Sequence, residues 1–203
     1  MSKHRNLPAV NAGSMADIAF LLLIFFLVTA AIDQEQGLPT TIPKASEKGV
    51  REVAQHNLFE IAINADNQLM VQGEVALLQN LRSKLIAFLD NGGLSENEAG
   101  HCAYCRGEQE KHLSESPQKA IVSLTTNVKS SYATYVAVQN EIEGAYNDLR
   151  NREGQRLFKE DYKAMVQQYR SSNRSQQDKQ ILKEQIHTLR DQYPKQLIEL
   201  DML

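Results

Sequence analysis

The chain has 203 residues, of which 42% are hydrophobic and 23% charged, and its formal net charge is -3. This balance argues against a nucleic-acid binder, which usually carries a basic face, and two cysteines are too few for a disulfide scaffold. The mean hydropathy of -0.43 indicates that most of the chain lies in water. The strongest hydrophobicity nevertheless falls in one block near the N-terminus, so neither a polytopic transporter nor a plain soluble enzyme is expected.

Residues 15–32 form this apolar block, and Asp17 is its single ionisable residue. As a helix, the block would span about 27 Å, close to the hydrocarbon thickness of a bilayer. A buried core helix would show polar residues at a 3.6-residue period, and the block does not. The pattern predicts a transmembrane helix, preceded by a cytoplasmic tail of residues 1–14.

The charges on either side of the block predict its orientation. Lys3 and Arg5 precede it, whereas Asp33 and Glu35 follow it, and basic flanks stay in the cytoplasm. Residues 33–203 are therefore expected outside the cytoplasm. A cleaved signal peptide is the alternative, although its apolar region is usually shorter and has no use for an acid at its start.

Asp17 is the most informative residue of the sequence. A carboxylate at the centre of a membrane helix costs about 2.5–3.5 kcal/mol on insertion scales, and less near an end. Protonation or a hydrated protein neighbour removes that cost, and a carboxyl group that changes state can load and unload protons. The alternative is an acid that only marks the helix start, as an N-cap or as a side chain that snorkels to the headgroups, although Asn11 and Ser14 are also available for capping.

The residues around Asp17 resemble a family signature. Residues 10–28 read V-N-A-G-S-M-A-D-I-A-F-L-L-L-I-F-F-L-V, which is similar to the V-N-x-T-P-x-x-D pattern and following apolar run of the ExbD/TolR family. Gly13 and Ser14 stand where that family has Thr-Pro. Leu38 and Pro39 resemble the family's N-L-P element, with Gly37 in place of Asn.

The resemblance implies a single-pass protein of the bacterial inner membrane that forms a homodimer inside an ExbB/TolQ-type proton channel. The complex uses the proton-motive force to drive a TonB-like partner in outer-membrane transport. Asp17 would carry the proton, and Leu38 and Pro39 would pair with a periplasmic partner or strand. No cofactor and no nucleic acid are implied. The residues expected to pack against the channel are Asn11, Ser14, Phe20, Leu22, Leu23, Phe25 and Phe26.

The remainder of the chain predicts an α/β fold. Residues 33–57 are polar, contain Gly and Pro, and read as a periplasmic linker with a possible short strand. Residues 58–149 then show a β-β-α-β-α order, which predicts one sheet with two helices on a face. The predicted strands cover residues 58–63, 68–71 and 120–125, and the predicted helices are marked by apolar spacing in residues 77–89 and 135–149.

A polar insert, residues 94–118, interrupts this domain and is expected to contribute little to its core. Two cysteines and two histidines in this insert, Cys102, Cys105, His101 and His112, could ligate zinc, although their spacing fits no well-known site closely. A local disulfide or unused thiols are the favoured interpretation. A redox centre is a third possibility.

Residues 150–203 carry two apolar stripes separated by a polar stretch, which predicts two amphipathic helices arranged as a hairpin. The helices either pack onto the domain or present a surface to a partner. Residues 196–200 could supply a closing strand. The two stripes consist of Phe158, Tyr162, Met165 and Tyr169, and of Leu182, Ile186, Leu189 and Tyr193.

The leading functional hypothesis is a proton-coupled, energy-transducing subunit rather than an enzyme. The sequence shows no Gly-rich phosphate loop, no Ser/His/Asp set in a recognisable context and no paired-carboxylate motif. The alternative is a periplasmic binding or scaffold protein whose membrane helix is a passive anchor. A redox or metal protein built on Cys102 and Cys105 is the weaker third hypothesis.

Overall fold

The computed structural model describes residues 12–30, 54–171 and 175–202. For residues 27–30 and 201–202 it describes the backbone alone. The chain divides into two compact units, Met1–Leu38 and Pro39–Leu203.

The described part of the first unit is one helix, α1 (Ala12–Ala30). It begins three residues before the predicted membrane helix, whose last two residues, Ala31 and Ile32, lie outside the described residues. Within the described ranges, no helix is long and apolar enough to cross a membrane.

The second unit is built on a five-stranded sheet, and this confirms the predicted α/β class. The strands lie in the order β3-β2-β1-β4-β5. β4 runs parallel to both β1 and β5, whereas β2 is antiparallel to β1 and to β3. The strands are β1 (Leu58–Ile63), β2 (Leu69–Val71), β3 (Glu74–Ala76), β4 (Ile121–Asn127) and β5 (Leu197–Met202).

Four helices accompany the sheet in the described part of the second unit. They are α2 (Leu78–Leu89), α3 (Tyr132–Leu157), α4 (Tyr162–Arg170) and α5 (Gln176–Gln192).

The hairpin of β1 and β2 follows from local sequence. β1 alternates, and its side chains Phe59, Ile61 and Ile63 are buried, as expected for a strand with one face on the core. The Asn64 side-chain oxygen accepts hydrogen bonds from the backbone N–H groups of Asp66 (3.0 Å) and Gln68 (2.8 Å). This Asx-type arrangement forms the turn between the two predicted strands.

Strand β3 was not predicted. The chain reverses at Gln72 and Gly73, whose φ angles are 53° and 81°, in the left-handed region that Gly adopts at little cost. The strand that follows has three residues, and Glu74 and Val75 are exposed. Too few of its side chains are buried to produce a periodic signal.

The core lies between the sheet and the pair α2 and α3. The rings of Phe59 in β1 and Phe88 in α2 are 5.0 Å apart. The Ser131 side chain caps the start of α3 by accepting a hydrogen bond from the Thr134 backbone at 3.1 Å. The buried apolar side chains of the two helices are Leu81, Leu85, Phe88, Leu89, Val138, Ile142, Ala145, Tyr146 and Leu149.

The predicted helical pair is confirmed, and it packs on the domain instead of standing apart. Tyr162 and Met165 of α4 are buried, as are Leu182, Ile186 and Leu189 of α5. Asp161 and Ser175 cap the two helices through side-chain hydrogen bonds to backbone N–H groups.

The predicted closing strand is also confirmed, because β5 pairs in parallel with β4 from Val122–Leu197 to Asn127–Met202. Helices α4 and α5 therefore lie in sequence between α3 and the last strand of the same sheet.

Candidate functional site

Asp17 is the sixth residue of α1, so it lies in the second turn and not at the helix start. Its side chain is exposed. No described residue forms a hydrogen bond or an ion pair with the Asp17 carboxylate. This position does not fit the role of a cap, because capping side chains sit at the first residues of a helix.

The predicted channel-packing residues of α1 point in many directions. At 100° per residue, Ser14, Phe20, Leu22, Leu23, Phe25 and Phe26 spread over about 240° of the helix circumference and do not form one stripe. The sector that they leave empty is the one that contains Asp17. The large apolar side chains between Met15 and Phe26 are 44–62% exposed. Every side of the described helix therefore carries apolar side chains.

Two residues on the face of Asp17 were left out of the predicted set. Leu21 and Ile24 follow Asp17 by four and seven positions, so they share its side of the helix. Gly13 and Ser14 lie one turn before it on the same side. Helical spacing alone could have identified this face, which has small residues before the acid and large apolar residues after it.

Three predicted site residues, Asn11, Leu38 and Pro39, lie outside the described residues. The predictions that Asn11 packs against a channel and that Leu38 and Pro39 pair with a partner stay predictions.

The cysteines of the insert form a disulfide, Cys102–Cys105. The histidines have other partners: His101 Nδ1 lies 2.9 Å from the Leu94 carbonyl, and His112 Nε2 lies 2.8 Å from Glu110. In the described ranges no group of three His, Cys, Asp or Glu residues could hold a metal ion. Of the two favoured possibilities, a local disulfide and unused thiols, the structure therefore shows the disulfide.

The expectation that the insert contributes little to the core was wrong. Cys102 is 6% exposed, and Ser114 and Ser116 are buried, while Tyr104 and Leu113 pack against the core cluster. Hydrogen bonds to its backbone hold this polar insert in place. The Asn91 amide donates to the carbonyls of Glu110 (2.8 Å) and Ser114 (2.9 Å).

A group of buried charges at the end of α2 was missed. This buried junction is built on the buried residues Asp90, Glu153 and Tyr193. It also includes the half-buried Arg152 and the exposed Arg156, which pair with the two carboxylates. Arg152 donates through both terminal nitrogens to the Asp90 carboxylate, at 2.5 and 2.8 Å. The Tyr193 hydroxyl donates to the same carboxylate at 2.7 Å.

Glu153 forms the second half of the buried junction. Its side chain is fully buried, and its carboxylate lies 3.3 Å from Arg152 Nε and 2.6 Å from Arg156 Nε. Burial and the hydrogen bond to Asp90 raise the pKa of Tyr193, so its hydroxyl stays protonated and continues to donate. The buried junction thus joins the end of α2, the last turns of α3 and the residue after α5.

Arg150 adds a further contact at the same place. Its guanidinium donates to the Tyr193 carbonyl at 3.1 and 2.7 Å and lies 5.4 Å from the centre of the Tyr146 ring. Burial lowers the pKa of Arg150. The sequence held a signal for this region, because Glu153 continues the apolar spacing of Tyr146 and Leu149 along α3.

The comparisons with known proteins place the chain in a family. A search of curated proteins finds no match. The family model described as biopolymer transport protein ExbD/TolR matches residues 3–150, which include α1 with Asp17, strands β1–β4 and most of α3. The match covers well over half of the chain, which therefore belongs to the ExbD/TolR family of biopolymer transport proteins.

Proposed function

We propose that this protein is the inner-membrane subunit of a complex that converts the proton-motive force into mechanical work. In this proposal the apolar block of residues 15–32, which begins within α1 and continues past its last described residue, crosses the membrane as a single pass, with the N-terminus in the cytoplasm and residues 33–203 in the periplasm. The observation that carries the proposal is Asp17, the lone acid of an apolar helix in a chain of the ExbD/TolR family.

The proposed mechanism uses the two protonation states of Asp17. In its neutral form the residue tolerates an apolar wall of the partner, and in its charged form it requires a hydrated or polar one. Two copies of α1 inside an ExbB/TolQ-type proton channel would therefore change their preferred positions as protons enter and leave. One elementary charge crossing 100 mV releases about 2.3 kcal/mol, so substantial work needs several protons.

The composition of the α1 surface supports this arrangement. Its exposed apolar side chains on every side suit a helix that is enclosed by other helices, and the small residues Gly13 and Ser14 leave space beside Asp17. Leu21 and Ile24 would contact the channel on the same face as the carboxylate.

The second unit would pass the motion to a TonB-like periplasmic partner. A domain that transmits a pull must resist local opening, and the buried junction fastens α2, α3 and the end of α5 together. Leu38 and Pro39 are proposed to pair with a strand of the partner.

The direct test compares Asp17→Asn with Asp33→Asn in cells. Both changes replace a carboxylate with an amide of the same size, but only the first removes the proposed proton site. At equal abundance of the complex, Asp17→Asn should abolish uptake that depends on the proton-motive force, and Asp33→Asn should leave it intact. Uptake in both variants at the level of the unchanged chain would favour the alternative, a passively anchored periplasmic scaffold.

A second test concerns topology. Protease added to spheroplasts should remove an epitope placed at the C-terminus, and the purified protein should retain its N-terminal residues. A mature chain that begins near Ala31 would refute both the anchor and the proposed proton mechanism.

A further inference from the structure

The Cys102–Cys105 disulfide lies at a crowded point of the second unit. Cys102 is buried, whereas Cys105 is half-buried. Gly92, which follows the end of α2 with a φ angle of 64°, approaches the pair so closely that an added Cβ would lie 2.8 Å from the Cys105 Cβ. The disulfide therefore rests directly on the backbone that leaves α2.

Backbone hydrogen bonds also fix the residues that follow Cys105 to the residues that follow α2. The Gly107 N–H donates to the Asp90 carbonyl at 2.9 Å, and the Gln109 N–H donates to the Asn91 carbonyl at 3.2 Å. The side-chain carboxylate of Asp90 is also the acceptor at the centre of the buried junction. One side of the disulfide loop is thus anchored independently of the sulfur atoms.

The other side of the loop holds the end of α5. Tyr104 lies between the two cysteines, and its hydroxyl donates to the Gln192 carbonyl at 2.7 Å. Its ring meets the Tyr193 ring edge-on, with 5.4 Å between the ring centres. Gln192 and Tyr193 end α5 and lead into β5, so Tyr104 connects the disulfide to the last strand of the sheet.

Gln118, at the end of the insert, reinforces this connection. Its side-chain amide donates to the Tyr104 hydroxyl, and its backbone carbonyl accepts a hydrogen bond from the Gln196 side chain at 2.6 Å. Burial raises the pKa of Tyr104 to about 12, which keeps its hydroxyl protonated and able to donate at neutral pH.

From this arrangement we propose that Cys102–Cys105 is a redox-operated clasp, which holds Tyr104 against the end of α5 when oxidised and releases it when a dithiol protein reduces the pair. The proposal concerns the second unit alone and stands whether or not Asp17 carries protons. Because the anchors at Asp90 and Asn91 contain no sulfur, reduction should loosen the loop and the end of α5 without unfolding the domain.

The exchange reaction has a defined direction of attack. A thiolate of the donor attacks Sγ of Cys105, the less buried partner, and the electron pair of the broken S–S bond leaves on Sγ of Cys102, which then takes a proton. The second donor thiol, as a thiolate, attacks the mixed disulfide and releases Cys105 as a thiolate that is protonated in turn. In total, two electrons and two protons pass from the donor to the pair, and the donor becomes a disulfide.

Hydrogen exchange of the full chain in detergent tests the clasp, with dithiothreitol as the dithiol. Thiol labelling first establishes that both cysteines are reduced in the folded protein. Amide exchange in residues 193–200 should then rise by about two- to tenfold, the factor expected for losing one hydrogen bond of ordinary net strength, while Leu58–Ile63 in β1 should be unchanged. A pair that resists reduction in the folded protein would refute the proposal.

Two variants separate a clasp from a general brace. Tyr104→Phe keeps the ring but removes the hydroxyl. In its oxidised form the amides of residues 193–200 should therefore already exchange faster, and reduction should change their exchange little. Cys102→Ser with Cys105→Ser should behave like the reduced chain and ignore the dithiol. No rise after reduction, or an equal rise throughout the domain including β1, would overturn the proposal.

Discussion

Arg152→Met tests whether the buried junction stabilises the second unit. The substitution keeps an unbranched side chain of similar length but removes the two hydrogen bonds to Asp90, the one to Tyr193 and the one to Glu153. Asp90 is 5% exposed and would keep the Tyr193 hydroxyl as its remaining side-chain donor among the described residues.

The expected cost follows from burial. Removing one partner of a buried ion pair typically costs about 3–5 kcal/mol, because the other charge stays buried without compensation. The Arg152 side chain is 25% exposed, so water recovers part of the loss, and we expect about 3 kcal/mol, the lower end of that range.

Urea unfolding of the full chain in detergent, followed by far-UV circular dichroism, measures this cost. The matched control is Arg82→Met, since Arg82 pairs with Glu141 at 2.8 Å but the two side chains are 40% and 25% exposed. The control should lose less than about 1 kcal/mol. If Arg152→Met were no more destabilising than Arg82→Met, the buried junction would not be the element that joins α2, α3 and the end of α5.

Three further predictions concern the same unit. Leu189→Ala should destabilise it by about 2–5 kcal/mol, because loss of this fully buried side chain of α5 would leave a cavity. Ile181→Ala, at a residue that is 50% exposed, should cost far less in the same urea titration. Tyr104 has a pKa of about 12 in the folded protein, against 10.0 for an unperturbed tyrosine. Its contribution to the free energy of unfolding is therefore complete below pH 10 and is lost as the pH rises from 10 to 12. Tyr104→Phe should show a shallower loss of stability at alkaline pH, and a stability-against-pH curve identical to that of the unchanged chain would contradict this. The double change Cys102→Ser and Cys105→Ser should lower stability by about 2 kcal/mol, the loop-entropy value for a ring of this size. It should leave co-purification with the proposed channel partner intact, and loss of the complex would contradict that expectation.

The elements that the sequence predicted well are those whose side chains alternate between core and solvent. β1, α2 and the stripe of α5 each carry apolar residues at the period of their own geometry, and the structure buries most of these residues. Leu77 and Leu78, at the start of α2, are the exceptions and stay exposed. The closing strand β5 was also predictable, because residues 196–200 follow a helix and combine Leu and Ile with polar neighbours.

The features that were missed depend on contacts between distant residues. α3 continues to Leu157, and its last part is held by partners far along the chain. Arg150 contacts Tyr193, 43 positions away, and Arg152 contacts Asp90, 62 positions away. The polar insert is ordered by hydrogen bonds from Asn91, 19 and 23 positions away from the accepting residues. Such contacts leave no periodic trace in the sequence, and only the position of Glu153 on the apolar face of α3 gave a warning.

The candidate site was predicted in a different way. The importance of Asp17 came from the cost of an acid in an apolar block and from the resemblance around it, and the structure adds that this residue lies in the second turn of α1 with an exposed side chain. The face that it shares with Leu21 and Ile24 was within reach of the sequence, because the spacing of an α-helix defines it.

Proton flux through the reconstituted complex tests the central proposal most directly. The full chain and its channel partner would be placed together in proteoliposomes that contain a pH-sensitive dye, and a membrane potential would then be applied. We predict that the unchanged chain supports a flux above that of the partner alone and that Asp17→Asn, at equal incorporation, reduces the flux to the level of the partner alone. An equal flux with Asp17→Asn would contradict the assignment of Asp17 as the residue that carries the proton.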